Sequence, residues 1–255
     1  MISKSRRIFA TGIAGLAVFG PLMRLRPAWA EEPDLVTLRT PSGRDVTASL
    51  SIPRAIPAPA VILIHGSFGL NDFYRSLPTA FSKEGFAALA VDLFDGMMTN
   101  DPAQGGRLAS LANGAPDRAT ETLVAWIDWL KADPRTTKKI AAIGWSFGAK
   151  WALIASSVAA LDAAVLYYGG TNTWEGDLKG LKAPILGHFA ERDTDPRPST
   201  VKRFAAVMAK AGKALDVRWY AADHSFANSM LPNYDKVAAE ASWQATLKFL
   251  RANLG

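Results

Sequence analysis

A short apolar run that leads into a glycine-flanked serine constrains this chain more than any other feature. The run Ile140–Ile143 is followed by the pattern Gly-x-Ser-x-Gly over residues 144–148, and then by residues at helical spacing. This order predicts a strand, a sharp turn and a helix, with Ser146 at the tip of the turn. Side chains two residues before and after such a serine would collide with the neighbouring strand and helix, so glycine is expected at both places. The pattern therefore predicts a nucleophilic serine.

Patterns typical of buried strands alternate with amphipathic helical patterns along the rest of the chain. Further strands are predicted at residues 34–40, 45–52, 60–64, 86–93, 163–168, 184–189 and 216–220. Helices are predicted at residues 72–84, 118–132, 147–157, 198–211 and 235–253, whereas glycine and proline between 94 and 117 predict no long element there. This alternation predicts an α/β fold, with a mostly parallel, doubly wound sheet, helices on both faces and an antiparallel hairpin at one edge. Residues 31–255 are expected to form a single domain without a large lid domain.

The first 30 residues have the composition of an export signal. Three basic residues near the start precede a mostly apolar run over residues 8–23, and Ala28-Trp29-Ala30 precedes two glutamates. Ser5-Arg6-Arg7-Ile8-Phe9 resembles the twin-arginine export motif. The apolar run is shorter than the roughly 20 residues that a membrane span needs, so an uncleaved anchor is the less favoured alternative. The sequence predicts cleavage after Ala30, a periplasmic or secreted protein, and no stable membrane anchoring afterwards.

Composition excludes several classes of function. The first 30 residues hold five basic residues and no acidic one, so without them the formal net charge falls from +6 to about +1. No basic stripe with interleaved aromatic residues remains, and nucleic acid is not expected as a partner. The chain has no cysteine, which excludes disulfides, thiolate nucleophiles and zinc-thiolate sites. Neither a paired-histidine metal motif nor a nucleotide-binding loop occurs, so no metal and no cofactor are predicted.

Three histidines are available as a base for Ser146, and only one of them suits the position. A serine hydroxyl is a poor nucleophile at neutral pH, so it needs a histidine in hydrogen-bond reach and a carboxylate that orients that histidine. In such a sheet the acid and then the histidine follow the serine, each on a loop after a later strand. His224 comes just after the last predicted strand. Asp193 follows the preceding strand and is the predicted acid, with Asp195 and Glu191 as alternatives.

Ester hydrolysis also needs N–H donors for the negative charge that develops on the carbonyl oxygen. The N–H of Phe147, at the start of the helix after the serine, is one predicted donor. The N–H of Ser67, in the loop after strand 60–64, is the other. His65 in the same loop is expected to be an orienting or packing residue rather than a catalytic acid or base.

Three aromatic residues lie next to these groups in the sequence. Phe68, Trp145 and Phe226 are predicted to line an apolar substrate pocket, with a plain core role as the alternative. His188 lies inside a predicted strand and is expected to be a hydrogen-bonded core residue. Lys150, one helical turn after the serine, is expected to be solvated or ion-paired, with contact to a substrate anion as the alternative.

Taken together, these residues resemble the dienelactone hydrolase family of α/β-hydrolases, in its serine-nucleophile variant, from about residue 35 to residue 254. The segments that carry the resemblance are 61–71, 91–93, 144–148, 187–189 with Asp193, and 224–227. The resemblance implies the α/β-hydrolase fold, Ser146 as nucleophile with Asp193 and His224 as its partners, and hydrolysis of acyl esters or lactones.

The chain also departs from the family pattern at positions that bear on the substrate. The enzymes that gave the family its name have cysteine where Ser146 stands and glutamate where Gly66 stands. Their arginines that grip the substrate carboxylate match Gly96 and Asn228 here. A dienelactone is therefore not expected as the natural substrate.

The sequence as a whole predicts an exported serine esterase that acts on a small-molecule ester or lactone without a cofactor. A peptidase or perhydrolase that uses the same three residues is an alternative. A binding protein that kept the fold and lost catalysis is another. The acyl and alcohol groups and the oligomeric state are not predicted.

Overall fold

The computed structural model describes residues 33–171 and 180–255, so the predicted export signal lies outside the described residues. The strands within these ranges are β1 (Asp34–Arg39), β2 (Asp45–Ser51), β3 (Ala58–Ile64), β4 (Ala87–Val91), β5 (Thr136–Trp145), β6 (Ala163–Tyr167), β7 (Ile185–Ala190) and β8 (Leu215–Tyr220). The helices are α1 (Asp72–Lys83), α2 (Pro102–Gly114), α3 (Pro116–Ala132), α4 (Phe147–Val158), α5 (Pro198–Lys210) and α6 (Lys236–Leu254). Within the described ranges, no helix combines the length and the apolar character that crossing a membrane requires.

All of these strands belong to one sheet, in the order β1-β2-β4-β3-β5-β6-β7-β8. β2 is antiparallel to both β1 and β4, and every later pairing is parallel. The central strands are continuous apolar runs because a parallel sheet is covered on both faces, and every residue of β4 and β6 is buried. The predicted doubly wound α/β fold with an antiparallel edge hairpin is confirmed.

Two separate hydrophobic clusters cover the two faces of the sheet. Successive residues of β3 alternate between them, since side chains of a strand point to opposite faces. Ile62 belongs to the cluster that includes residues of α3, α4 and α5, whereas Leu63 belongs to the cluster that includes residues of α1 and α6. The helices therefore lie on both faces, and the loops at the carboxyl ends of the parallel strands meet at one edge of the sheet.

The prediction of no long element between residues 94 and 117 is wrong, because α2 occupies Pro102–Gly114. Pro102 is at the first helical position, where no N–H is needed, and the Asp101 side chain accepts a hydrogen bond from Gln104 N at 2.6 Å. The interior glycine Gly105 has a packing reason: a Cβ there would lie 3.0 Å from the carbonyl oxygen of Ser67. Gly105 thus allows the helix to pack against the loop after β3.

Candidate active site

Ser146 lies at the tip of the turn between β5 and α4. Its backbone has φ 52° and ψ −112°, a conformation that is strained for any residue except glycine, and its N–H donates to Tyr167 O at 2.9 Å. A Cβ on Gly144 would lie 2.0 Å from the Gly148 carbonyl oxygen, and one on Gly148 would lie 2.1 Å from the Ile64 carbonyl oxygen. The steric reason predicted for both glycines is therefore confirmed.

The structure brings Ser146, His224 and Asp193 into one hydrogen-bonded chain. The distance from Ser146 Oγ to His224 Nε2 is 3.0 Å, and that from His224 Nδ1 to Asp193 Oδ2 is 2.8 Å. An ionised carboxylate can only accept, so Nδ1 carries the proton and Nε2 is free to accept from the serine hydroxyl. Asp193 is nearly inaccessible, with 2% of its side chain exposed, whereas the imidazole is 32% exposed. A substrate can therefore reach the histidine, while the carboxylate is shielded from solvent.

These side chains come from three elements that end at the same edge of the sheet. Ser146 follows β5, Asp193 follows β7 and His224 follows β8, and β7 and β8 pair in parallel. The alternative acids Asp195 and Glu191 are exposed. The N–H of Asp195 donates to Asp193 Oδ1 at 2.8 Å, so this residue supports the buried carboxylate.

A second polar link joins the loops that carry Asp193 and His224, and the sequence reasoning missed it. Arg192 Nη2 donates to Asp223 Oδ2 at 2.8 Å, and Arg192 Nη1 donates to Ala221 O at 3.0 Å. The hydrogen bonds from Arg192 lower the pKa of Asp223, so this exposed carboxylate stays ionised. The sequence did contain a signal for this ion pair, because a basic residue directly precedes Asp193 and an acidic residue directly precedes His224.

Tyr168, which directly follows β6, was also missed. Its ring centroid lies 5.1 Å from that of His224, and its backbone has a positive φ of 39°. Burial raises the pKa of the Tyr168 hydroxyl well above its ordinary value, so the residue stays neutral. A Cβ on the next residue, Gly169, would lie 2.3 Å from the Ser146 carbonyl oxygen. Tyr168 and Gly169 therefore form one wall of the site through packing.

The two predicted oxyanion donors lie on neighbouring backbone segments. Phe147 is the first residue of α4, and the N–H groups of a first helical turn have no partner within the helix. Within residues 33–171 and 180–255, the N–H groups of Phe147 and Ser67 are absent from the backbone hydrogen bonds outside helices and strands. The loop with Ser67 lies on the start of α4, because Gly148 directly approaches the carbonyl oxygens of Ile64 and His65. Both donor roles stay predictions.

The structure separates the three predicted pocket aromatics. Phe68 is half-buried and packs against α2, so it remains available to a substrate. Trp145 is only 3% exposed and stacks on Tyr167 at a centroid distance of 5.3 Å. Phe226 is fully buried and packs among tyrosines, with Tyr220 at 5.0 Å. The pocket prediction for Trp145 and Phe226 is therefore wrong and their alternative core role holds, because both side chains pack into the core on the α6 face of the sheet.

The other histidines and Lys150 have defined partners. His188 is the predicted core residue: it is fully buried, and its ring nitrogens bond to Tyr220 Oη at 2.8 Å and Thr246 Oγ1 at 2.9 Å. Lys150 Nζ donates to Asn113 Oδ1 at 3.2 Å, at the end of α2. Lys150 is half-buried and its Nζ contacts a neutral amide on another helix, so the expectation that it is solvated stays a prediction. In the part of the chain that the structure describes, no three His, Asp or Glu side chains are grouped to hold a metal ion.

Comparison with known proteins identifies the family. The sequence model of the dienelactone hydrolase family matches residues 46–254. This chain belongs to the dienelactone hydrolase family. It is thus an ester-hydrolysing enzyme, and its substrate class is a small-molecule ester or lactone.

Individual relatives are distant but cover most of the chain. It is similar to the protein usf of Aquifex pyrophilus, with 27% identity over 205 residues that cover 77% of this chain and 89% of that protein. It is equally similar to a putative carboxymethylenebutenolidase of Saccharolobus solfataricus, with 27% identity over 82% of this chain and 95% of that protein. A solved structure of a putative dienelactone hydrolase from Klebsiella pneumoniae superposes with a TM-score of 0.74 at 22% identity, over 84% of this chain and 96% of that one. At this identity, the superposition supports the fold.

The positions at which the chain departs from the family pattern have structural reasons. A Cβ on Gly66 would lie 2.6 Å from Tyr74 Oη, so any side chain there would require the buried Tyr74 to shift. Asn228 is 1% exposed, and its Oδ1 accepts a hydrogen bond from Met230 N at 3.0 Å. Gly96 and Asn228, which match the arginines of the family pattern, carry no charge that could grip a substrate carboxylate.

Proposed function

We propose that this protein is an exported serine hydrolase that cleaves carboxylic esters or lactones through an acyl-enzyme intermediate. The observation that carries the proposal is the hydrogen-bonded chain from Ser146 Oγ through the imidazole of His224 to Asp193, with distances of 3.0 and 2.8 Å. Such a chain converts a weak hydroxyl nucleophile into a competent one, because the imidazole accepts its proton and the carboxylate stabilises the resulting imidazolium.

The proposed reaction has two stages, formation of the acyl-enzyme and its hydrolysis. Ser146 Oγ adds to the ester carbonyl carbon while its proton moves to His224 Nε2, and the N–H groups of Phe147 and Ser67 hold the oxyanion. Collapse of the tetrahedral adduct breaks the ester bond, and the leaving alkoxide takes the proton from His224. Water then gives a proton to His224 and attacks the acyl-enzyme. The second collapse releases the carboxylic acid and returns the proton to Ser146 Oγ. A lactone follows the same steps, with the alcohol still attached to the acyl group.

Replacement of the nucleophile tests the reaction. Ser146→Ala should lower kcat/KM on p-nitrophenyl esters of graded chain length, and on simple lactones, by at least about 1,000-fold while folding is retained. Ser157→Ala is the matched control, because Ser157 lies on the same helix and its hydroxyl donates to Leu153 O in the preceding turn. Full activity in the Ser146→Ala variant, or an equal loss in the control, would contradict the proposal.

A fluorophosphonate probe separates catalysis from a binding role. The probe forms a bond to a serine oxygen only when that oxygen is activated, so wild-type protein should be labelled at Ser146 with a stoichiometry near one. Folded wild-type protein that resists labelling would favour a binding protein that has lost catalysis.

Export is the second part of the proposal and rests on the composition of Met1–Ala30 alone. When full-length protein is expressed in a bacterium with twin-arginine export, the periplasmic product should begin at Glu31. Replacement of both Arg6 and Arg7 by lysine should leave an uncleaved product in the cytoplasm. Intact mass and fractionation measure both outcomes, and an uncleaved wild-type product would contradict the proposal.

A further inference from the structure

The ring of His65 is completely buried between two loops of the site, and each of its ring nitrogens faces a backbone group. Nδ1 lies 2.7 Å from the Gly66 carbonyl oxygen, which can only accept, so Nδ1 carries a proton. Nε2 lies 3.1 Å from Leu93 N, which can only donate, so Nε2 is the acceptor. Both ring nitrogens of His65 are therefore occupied by backbone groups. The ring has no nitrogen free for proton transfer with a substrate.

The bond from His65 Nδ1 determines where the next peptide group points. The carbonyl of Gly66 and the N–H of Ser67 belong to one peptide unit, and in a trans unit these two groups point in opposite directions. The cis bonds in the described residues both precede proline, so the unit between Gly66 and Ser67 is trans. Its carbonyl accepts from His65 Nδ1 and also from Gly69 N at 3.2 Å. Rotation of this unit would break both bonds, so the Ser67 N–H is held away from the ring.

The same ring also contacts the residue that carries the other predicted donor. The His65 ring stacks on Phe147 at a centroid distance of 5.9 Å with an interplanar angle of 19°. Phe94 packs edge-on against the imidazole at 4.6 Å. One buried side chain thus contacts the ring of Phe147 and holds the peptide unit of Ser67.

We propose that His65 is a positioning residue, whose Nδ1–H aims the Ser67 N–H at the oxyanion by holding the Gly66 carbonyl. The inference rests on the proposed function and deepens it. Because an oxyanion donor acts mainly in the transition state, loss of its orientation should lower kcat and leave KM nearly unchanged.

Two substitutions of matched shape isolate this hydrogen bond. Asparagine and leucine both branch at Cγ, but only asparagine places an N–H group where Nδ1 lies. Removal of one oxyanion donor costs about 100- to 1,000-fold in kcat, so its misalignment in His65→Leu should cost about 10- to 100-fold. His65→Asn should stay within about five-fold of wild type, because the donor to the Gly66 carbonyl is kept. Rates are normalised to active sites by fluorophosphonate titration.

A transition-state analogue provides a readout that a purely structural role would not change. A trifluoromethyl ketone matched to the best ester forms a tetrahedral adduct with Ser146, so its Ki should rise in His65→Leu by the same factor as kcat/KM falls. His188→Gln is the control, because it alters another fully buried histidine that has no contact with the oxyanion loop. In this control, Ki and kcat/KM per active site should stay within about two-fold of wild type.

The outcomes separate the inference from the proposed function. Equal losses in the asparagine and leucine variants, or a Ki that does not follow kcat/KM, would overturn the role of His65. Where His65→Leu does not fold, His65→Gln replaces it. The longer glutamine side chain can place its amide opposite Leu93 N but not opposite the Gly66 carbonyl, so this variant should show the same loss of kcat. A wild-type protein without esterase activity overturns both proposals, whereas an active wild type with an equally active leucine variant overturns only this one.

Discussion

The buried His188 should make the stability of this protein fall between neutral and mildly acidic pH. The imidazole is fully buried and bonds to Tyr220 Oη and Thr246 Oγ1. Burial lowers the pKa of His188 from 6.5 to about 3, because the charged form would lose its hydration. The folded state therefore keeps this ring neutral at a pH where the unfolded chain protonates it.

The sign and the size of the effect follow from proton linkage. Because the folded pKa is the lower one, the contribution of His188 to stability is complete above the unfolded pKa of 6.5 and declines as the pH falls toward the folded value of about 3. At about pH 5, the unfolded histidine lies about 1.5 pH units below its pKa, and at 1.36 kcal/mol per unit the loss is about 2 kcal/mol. A folded pKa that differs by one unit from this value would leave the loss almost unchanged, since it would still lie well below pH 5.

Urea unfolding at about pH 7 and about pH 5 measures this loss in wild type and in His188→Gln. Groups that titrate in both proteins cancel in the comparison, so the wild-type free energy of unfolding should fall by about 2 kcal/mol more than that of the variant. Equal changes in the two proteins, within about 0.5 kcal/mol, would refute the argument that His188 stays neutral in the folded state.

Three further predictions concern the turn and the polar links of the site. Gly148→Ala should lower the free energy of unfolding, measured in urea, by about 2 kcal/mol or more, because the new Cβ would meet the backbone of β3. Gly106→Ala is the control: a Cβ there has no atom within 4 Å, so this substitution should raise the free energy of unfolding slightly. Asp193→Asn should lower kcat on p-nitrophenyl esters by about 1,000-fold or more with little change in KM, and a loss below ten-fold would contradict its role as the acid. Single charge reversals at Arg192 and Asp223 should lower kcat by a few-fold at low salt, and the double reversal should restore it, because an exposed pair contributes at most about 1 kcal/mol.

Much of this site could be predicted from local patterns. The glycines beside Ser146 were predictable because their clashes are with backbone that directly surrounds the turn. Asp193 and His224 were predictable because buried strands have recognisable apolar runs, and parallel strands deliver the residues after them to one edge of the sheet. His188 was predictable as a core residue from its place inside such a run.

The remaining features depended on which surfaces meet across long sequence separations. Helix α2 was missed because the reason for Gly105 is a loop about forty positions earlier in the chain. The inward burial of Trp145 and Phe226 was decided by how tightly neighbouring aromatic side chains close around them.

The sequence by itself determined the α/β sheet, the strained serine turn and the identity of the residues that meet at its edge. Only the tertiary structure decided which aromatic side chains remain open to a substrate. It also decided which groups hold the loop with Ser67 and the loops that carry Asp193 and His224. The physical reason is the sequence separation over which each interaction acts. Backbone sterics and strand burial act between residues that are near neighbours in the chain. Side-chain packing and hydrogen bonds between loops exist only once the whole sheet has formed.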